Sequence, residues 1–537
     1  MNGKTIQVPA EILALIFTYC VPTSEEFNNV LDRRQRFSWL SVTQTCRKWR
    51  AVALEHSSMW TRPDFLSPGL AQAMIDRSKS ALLHIEYFDE MYWASPWSRI
   101  MLSEIFSNPS RIATIKLELN WESAVTILPK LIGPAPSLRS LGIECINQSS
   151  VPGDLLGGGA PCLTELSLHG CDLPWSSPLL DARLTSLSWG PKIGFLERPS
   201  EQQFTSVLNN LTSLETLVLE KTFPHSIKDT AHISLPRLRY LRLLTDSNGS
   251  DSIELLDALD FPDTTVIELD IACYSDTSAG RITGFKPLFS CLARRAGPGE
   301  SVNALHIDGL ESFYYAELIL SVWTVLPDMS ALENEPKALN PVPPNPPRFR
   351  LKLRWDTRTL DELALQFKEV VSDALEALDL TCLETLSIDF QSGDSALEAI
   401  FGLLQHSRLK NLVLRGTCAY QAIPLFGGIH KKHGKGEEAD RQQDTPLFCA
   451  LQLISFISVD FRAFRFETMV SENLKARLEH SAPVKRLRLK RCKNLFKRDI
   501  ERLSEVVEEV EWDGYEFEGS DISDGDDSCS DAEATND

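Results

Sequence analysis

The residue types that carry most enzyme chemistry are thinly spread in this chain. A triple glycine at Gly157–Gly159 lacks the Lys-Ser/Thr that completes a phosphate-cradling loop, so it reads as a flexible turn into the strand that follows. GPGES at Gly297–Ser301 is equally plain, and no G-x-S-x-G or H-E-x-x-H occurs. His430 and His433 have no third ligand nearby in sequence, so no metal is expected there. The 12 cysteines never form C-x-x-C. What stands out is a set of cations. In RFRLKLRW, Arg348, Arg350, Lys352 and Arg354 alternate with Phe349, Leu351, Leu353 and Trp355, which puts cations on one strand face and apolar groups on the other. VKRLRLKRC projects Arg486, Arg488 and Lys490 in the same way, and Arg415 follows LKNLVL in the equivalent place. Guanidinium forks suit carboxylate and phosphate. Arg350, Lys352, Arg354, Arg415, Arg486, Arg488 and Lys490 are therefore the candidate target-binding residues, for an acidic or phosphorylated segment; the alternative is solvated strand-surface charge. No catalytic, cofactor-binding or metal-binding residue is proposed.

The elements that position these cations repeat. LTELSLHGCDL, Leu163 to Leu173, matches L-x-x-L-x-L-x-x-C-x-L, the leucine-rich repeat template. The core pattern recurs from Leu138, Leu184, Leu214, Leu238, Val266, Val302, Leu383, Leu409 and Val484, with poorer copies at Leu82, Ile112 and Val507. Return segments such as Glu201–Ser213 have helical spacing. Leucines pointing inward and alternate residues pointing out predict an α/β solenoid, with a parallel sheet whose concave face binds partners. Cys171 and Cys492 occupy the position after the strand where a small group packs inside the turn, and read as structural. The competing fold, an α/β enzyme, predicts turnover by the isolated chain.

The first sixty residues are different. VPAEILALIFTYC predicts a helix opened by Pro9 and Glu11, with Ile12, Leu13, Ile16 and Phe17 on one broad apolar face. FSWLSVTQTCRKWRAVALEH predicts a second helix burying Leu40, Val42, Cys46, Trp49, Val52 and Ala53, and SSMW closes the unit. The segment is too short to bury so much apolar surface alone; either it caps the rest of the chain or a partner completes it.

VPAEILALIF, CRKWRAVA and SSMW together resemble the F-box in its fungal form, over Ile6 to about Phe65. Val8 stands where that motif usually has Leu, and the connection Thr23–Phe37 is longer than in the shortest members. The resemblance implies helices that dock on the Skp adaptor of a cullin-based (SCF) ubiquitin ligase. By it, Pro9, Ile12, Leu13, Ile16, Phe17 and Leu40 contact the adaptor, with Cys46 and Trp49 at or beneath the same surface. An F-box followed by leucine-rich repeats resembles a substrate receptor, non-catalytic, linked to cullin through the adaptor. The alternative is a repeat scaffold that binds partners without causing their degradation.

Composition bounds the rest. A formal net charge of -20 argues against bulk nucleic-acid binding. No signal peptide is read at Met1–Val8, and the longest apolar run, Ala316–Leu326, falls short of the ~20 residues a membrane helix needs. An intracellular protein, cytoplasmic or nuclear, with reduced thiols is expected. The reading is a small helical F-box at 1–65, a leucine-rich-repeat solenoid at 66–515, and an acidic tail at 516–537. Insertions fall near 334–348, which is proline-rich, and 427–445, which is charged. From Glu505 onward there are 14 acidic residues and no Lys or Arg. Ser523, Ser528 and Ser530 each precede an acid by three positions. The tail is either a solubilising segment or a mask that folds back on the basic strands, strengthened by phosphorylation.

Overall fold

The computed structural model describes residues 8–21, 37–65, 67–89, 96–190, 198–228, 232–246, 250–273, 285–295, 301–311, 315–333, 345–356, 360–390, 394–404, 408–426 and 447–515. The predicted tail, the 427–445 insertion, GPGES up to Glu300, and most of both the proline-rich stretch and the Thr23–Phe37 connection lie outside these residues. The chain divides into two compact units, Met1–Asp270 and Ile271–Asp537.

The first unit opens with helix α1, Ala10–Cys20, directly after Pro9. The predicted second helix is not continuous. A 3-10 turn, Ser38–Ser41, runs into α2, Val42–Thr45, and α3 is Arg47–Glu55. Between them Cys46 is extended, and its sulfur accepts the Trp49 backbone N–H at 3.4 Å. Cys46 is thus an exposed cap rather than the buried core residue the apolar pattern predicts. A thiol at that place satisfies one of the orphan donors of a helix start, which favours a break over a continuous helix. Leu13, Phe17, Trp39, Val42, Ala53, Met59 and Trp60 form one core, which Met74 of the helix Pro68–Ser78 completes. The Trp60 indole donates to the Ala53 carbonyl at 2.8 Å, so its one polar group is satisfied inside that core.

The repeats follow as strands β1 (Leu83–Phe88), β2 (Ile112–Leu119), β3 (Ser140–Ser150), β4 (Glu165–Asp172), β5 (Ser186–Gly190), β6 (Thr216–Glu220), β7 (Ile233–Ser234), β8 (Tyr240–Thr245), β9 (Leu259–Asp260) and β10 (Val266–Cys273). β1 to β6 pair in chain order and in parallel, β8 continues on β6, and β10 neighbours β8. β7 and β9 form a separate small pair. The Glu201–Ser213 segment yields the helix Glu201–Asn210, opened by a Ser200–Gln203 capping box. The triple glycine is a turn, as read. Gly157 sits at φ +55, and a Cβ on it would meet the Ile132 carbonyl oxygen at 2.9 Å.

The second unit contains β11 (Ala304–Glu311), β12 (Tyr315–Trp323), β13 (Phe349–Asp356), β14 (Thr385–Phe390), β15 (Asn411–Arg415), β16 (Leu453–Ile457), β17 (Arg486–Lys490) and β18 (Glu509–Trp512). Their spatial order is β13-β12-β11-β14-β15-β16-β17-β18. From β11 through β14 to β18 the pairing is parallel, as predicted. β12 runs antiparallel to both β11 and β13, a departure from the all-parallel expectation. The cause lies in the connections. Only three residues separate β11 from β12, enough for a reversal but far too few for the crossover that parallel strands need. The apolar run Ala316–Leu326 is mostly this strand, buried on both faces.

The leucine positions pack under the return helices. Phe367, from the helix Leu360–Ala377, stacks on Trp355 at 6.0 Å and meets Phe390 edge-on at 5.4 Å. Gly309 lies beneath the same ring, where a Cβ would come within 2.5 Å of Phe367 and Phe390. Cys171, at the end of β4, and Cys492, just past β17, are buried. The Cys492 thiol donates to the Phe456 carbonyl of the preceding repeat at 3.5 Å, and the Cys171 sulfur lies 3.2 Å from that of Cys145. Cys418 does the same in its own turn, donating to the Ile388 carbonyl at 3.4 Å.

Candidate functional site

Helix α1 divides its apolar residues between two directions. Leu13 and Phe17, one turn apart, point into the helical core and are 3% and 0% exposed. Ile12, Leu15, Ile16 and Tyr19 lie on the other side and remain 48%, 54%, 47% and 84% exposed. The single broad face read from the sequence is therefore two stripes, one structural and one open. The open stripe gains Leu15 and Tyr19, which the sequence reading left out. Their i+3 and i+7 spacing from Ile12 was the available signal.

The remaining adaptor candidates surround that helix. Pro9 is exposed, while Leu40 and Trp49 are half-buried and pack against the core. Trp49 is 5.1 Å from the Phe17 ring, so it backs the helix from beneath. Cys46 lies at the surface. The Lys48 ammonium donates to the Val8 carbonyl at 2.8 Å and ties the start of α1 to α3. A cluster of four large apolar side chains held rigidly on one helix is a surface built for apolar contact.

The second candidate is the sheet face of the second unit opposite the return helices. Strand register places all seven predicted cations on it. Arg350, Ser321, His306, Ser387, Val413, Ser455, Arg488 and Glu511 form one row across β13 to β18. Lys352, Ile319, Asp308, Asp389, Arg415, Ile457 and Lys490 form the next. Arg354 and Arg486 lie one row further out at opposite sides.

The cations do not gather into one patch. β13 and β17 are six strand spacings apart, roughly 25–30 Å. On β13, Arg350 is buried, and Lys352 and Arg354 reach Glu317 of β12 at 2.8 and 3.8 Å. Arg348 is also buried, its guanidinium donating to the Arg295 carbonyl at 2.6 Å. On the other side, Arg415, Arg488 and Lys490 converge, while Arg486 stays exposed.

They converge on residues inserted between β12 and β13. The short helix Met329–Glu333 brings Leu332 and Glu333 onto this face. The Arg488 guanidinium donates to the Glu333 carboxylate at 2.8 Å and to Glu511 at 2.6 Å. Lys490 donates to the other Glu333 oxygen, and Arg415 to the Leu332 carbonyl. The Glu333 side chain is 2% exposed. Glu511, and after it Glu333, holds the Arg488 guanidinium above its ordinary pKa, and Arg488 in turn holds the Glu511 carboxyl below its own. Between the two cation groups, Ser321, His306, Ser387, Val413 and Ser455 are buried. Glu317 and Glu333 had no signal in the sequence, because neither belongs to the motif it neutralises.

Among the described residues no group of His, Cys, Asp and Glu is arranged to hold a metal ion, and no helix is long and apolar enough to cross a membrane.

No curated protein matches the chain. Among solved structures it is similar to "Crystal structure of TLR13-ssRNA13 complex", at 15% identity and a TM-score of 0.33, over 80% of this chain and 48% of that one. A protein from Bacteroides fragilis is similar at 13% identity and a TM-score of 0.26, over 57% and 68% of the two chains. The chain thus spans about half the length of the first. Residues 6–66 match the F-box-like family, and the N-terminus that presents the open stripe of α1 is an F-box-like domain.

Proposed function

We propose that this chain is the substrate-recognition subunit of an SCF-type ubiquitin ligase. The observation that carries the reading is the open stripe of α1, Ile12, Leu15, Ile16 and Tyr19, inside the F-box-like match. Ile12, Leu15 and Ile16 are about half exposed, so each forgoes about 1 kcal/mol of burial, which a docked partner restores. The partner is the Skp adaptor, and through it cullin, with Pro9, Leu40, Cys46 and Trp49 at the edge of the contact and Leu13 and Phe17 fixing the helix from beneath. Residues 66–515 hold the target protein, and the cations of the second unit favour an acidic one. The chain performs no bond chemistry. It raises the effective concentration of target lysines near a ubiquitin-charged enzyme. Its place is intracellular.

The test is co-purification of the full-length protein with the adaptor, beside an Ile12→Asp/Ile16→Asp variant. Both positions are exposed, so the variant is expected to stay folded and to lose the adaptor, because docking would bury two carboxylates. Failure of the unaltered protein to bind adaptor removes the ligase reading. Adaptor binding with no change in the lifetime of bound targets leaves the non-degradative scaffold.

A further inference from the structure

We infer that Arg415, Arg488 and Lys490 form a binding site for an acidic peptide, and that Glu333 is its built-in occupant. The inference rests on the receptor reading above and names the chemistry of the ligand.

Three features separate Glu333 from an ordinary surface ion pair. It is almost wholly buried and shared between two cations on alternate positions of one strand, Arg488 and Lys490. The backbone carbonyl beside it, that of Leu332, takes a third cation, Arg415, from two strands away. A carboxylate and a neighbouring carbonyl thus present to the sheet what an acidic peptide would present, one charged oxygen pair and one main-chain acceptor. Second, the occupant is not part of the repeat. It belongs to a five-residue helix, too short to persist without tertiary support. Its apolar anchor is small: Leu332 packs on Ala304 and Trp323, with Met329 alongside. Third, the charge count favours exchange. Arg415, Arg488, Lys490 and the exposed Arg486 face four carboxylates, Glu333, Glu509 and Glu511 and, from β14, Asp389. With Glu333 displaced, four cations face three carboxylates on a sheet face whose row also holds the buried Val413 and Ser455, and Lys490 loses its carboxylate partner. An incoming carboxylate or phosphate on a peptide satisfies the same donors.

The probe is a fluorescein-labelled ten-residue peptide rich in glutamate with one central phosphoserine, beside its unphosphorylated copy, read by anisotropy on the full-length protein. Glu333→Gln keeps the side-chain shape and removes the charge. It is expected to bind the peptides at least about tenfold more tightly than the unaltered protein at low salt. That gain should vanish at high salt, and in Glu333→Gln combined with Arg488→Ala and Lys490→Ala. A larger gain for the phosphorylated copy assigns the site to phosphate, and equal gains assign it to carboxylate.

Should Glu333→Gln fail to fold, Leu332→Ser loosens the anchor with the charge intact, and a severalfold gain is expected. In the unaltered protein, saturating peptide should accelerate amide exchange at residues 329–333. No gain in a folded variant, a gain that survives loss of Arg488 and Lys490, or unchanged exchange at 329–333 overturns the inference. Adaptor co-purification on the same preparations keeps the two ideas apart. Lost adaptor binding with retained peptide binding sinks the receptor reading alone, and the reverse sinks only the acidic-peptide site.

Discussion

The two candidate surfaces handle unmet needs in opposite ways. The α1 helix leaves four large apolar side chains in water, whereas the cation face of the second unit is closed by carboxylates of its own chain. The difference follows from what each surface costs when left alone. A half-exposed isoleucine such as Ile12 or Ile16 merely forgoes about 1 kcal/mol of burial. A buried, unpaired guanidinium or ammonium costs several kcal/mol outright. An apolar surface can therefore wait for a partner, while clustered, half-buried cations need a counter-charge in the folded chain from the start.

The first unit sharpens the point. Its strands use the same leucine pattern, yet the middle of its opposite face carries Gly142, Ser167 and Ser188, which stay half-exposed. With small neutral groups there, nothing demands an occupant. In the second unit Ser387, Val413 and Ser455 hold the matching place and are buried.

The largest test contrasts the two stripes of α1. Phe17→Ala should destabilise the protein by about 3–5 kcal/mol, read as a lowered Tm, because it empties the helical core. Ile16→Asp, one residue away, should change stability by no more than about 0.5 kcal/mol while abolishing adaptor docking. Equal effects on Tm would erase the distinction between structural and open faces. Next in size is Glu333→Gln, which removes a buried carboxylate shared by two cations; since Arg488 keeps Glu511 and Lys490 reaches solvent, it should cost about 2 kcal/mol in denaturant unfolding. Glu317→Gln releases Lys352 and Arg354, both of which reach solvent, and should cost about 1 kcal/mol or less. A Glu317 effect as large as that of Glu333 would mean that the β13 group is closed as tightly as the β17 group.

The smallest effect is a pH dependence. Arg488 holds the Glu511 carboxyl below its ordinary 4.5, so the folded state binds this proton less readily than the unfolded state. The stabilisation is complete above about 4.5 and is lost as pH falls through the lower folded value. Glu511→Gln should flatten that part of the acid unfolding curve slightly, since Glu511 is half-exposed.

Much of the repeat was legible because its signal is local. Leu, Ile and Val at every second place announce a strand that is buried on one side. The strands from Leu138, Leu163, Leu184, Leu214 and Leu238 onward stand where that pattern puts them. Besides the two-residue strands β7 and β9, two strands of the large sheet were missed for physical reasons. β16, LISFI, is buried throughout, and two of its three outward positions, Leu453 and Ile457, are apolar, so the alternation is blurred. β12 is likewise buried on both faces and registers only as an apolar run. The break at Cys46 was missed because helical periodicity carries across a single capping residue. On α1, the sequence determined that the helix is apolar nearly all round. Only tertiary packing decided that Leu13 and Phe17 turn inward while Ile12 and Ile16 stay open, since that depends on where Trp49 and Trp60 stand. The same holds for the cations. Alternation in RFRLKLRW and VKRLRLKRC determined that they share a sheet face with their backs to the leucines. Which carboxylate neutralises each one was decided by a connection that brings Glu333 back across 155 residues of sequence to Arg488. No local pattern encodes that pairing, because ion pairing depends on distance in space, which the strand order and the path of the β12–β13 connection set together.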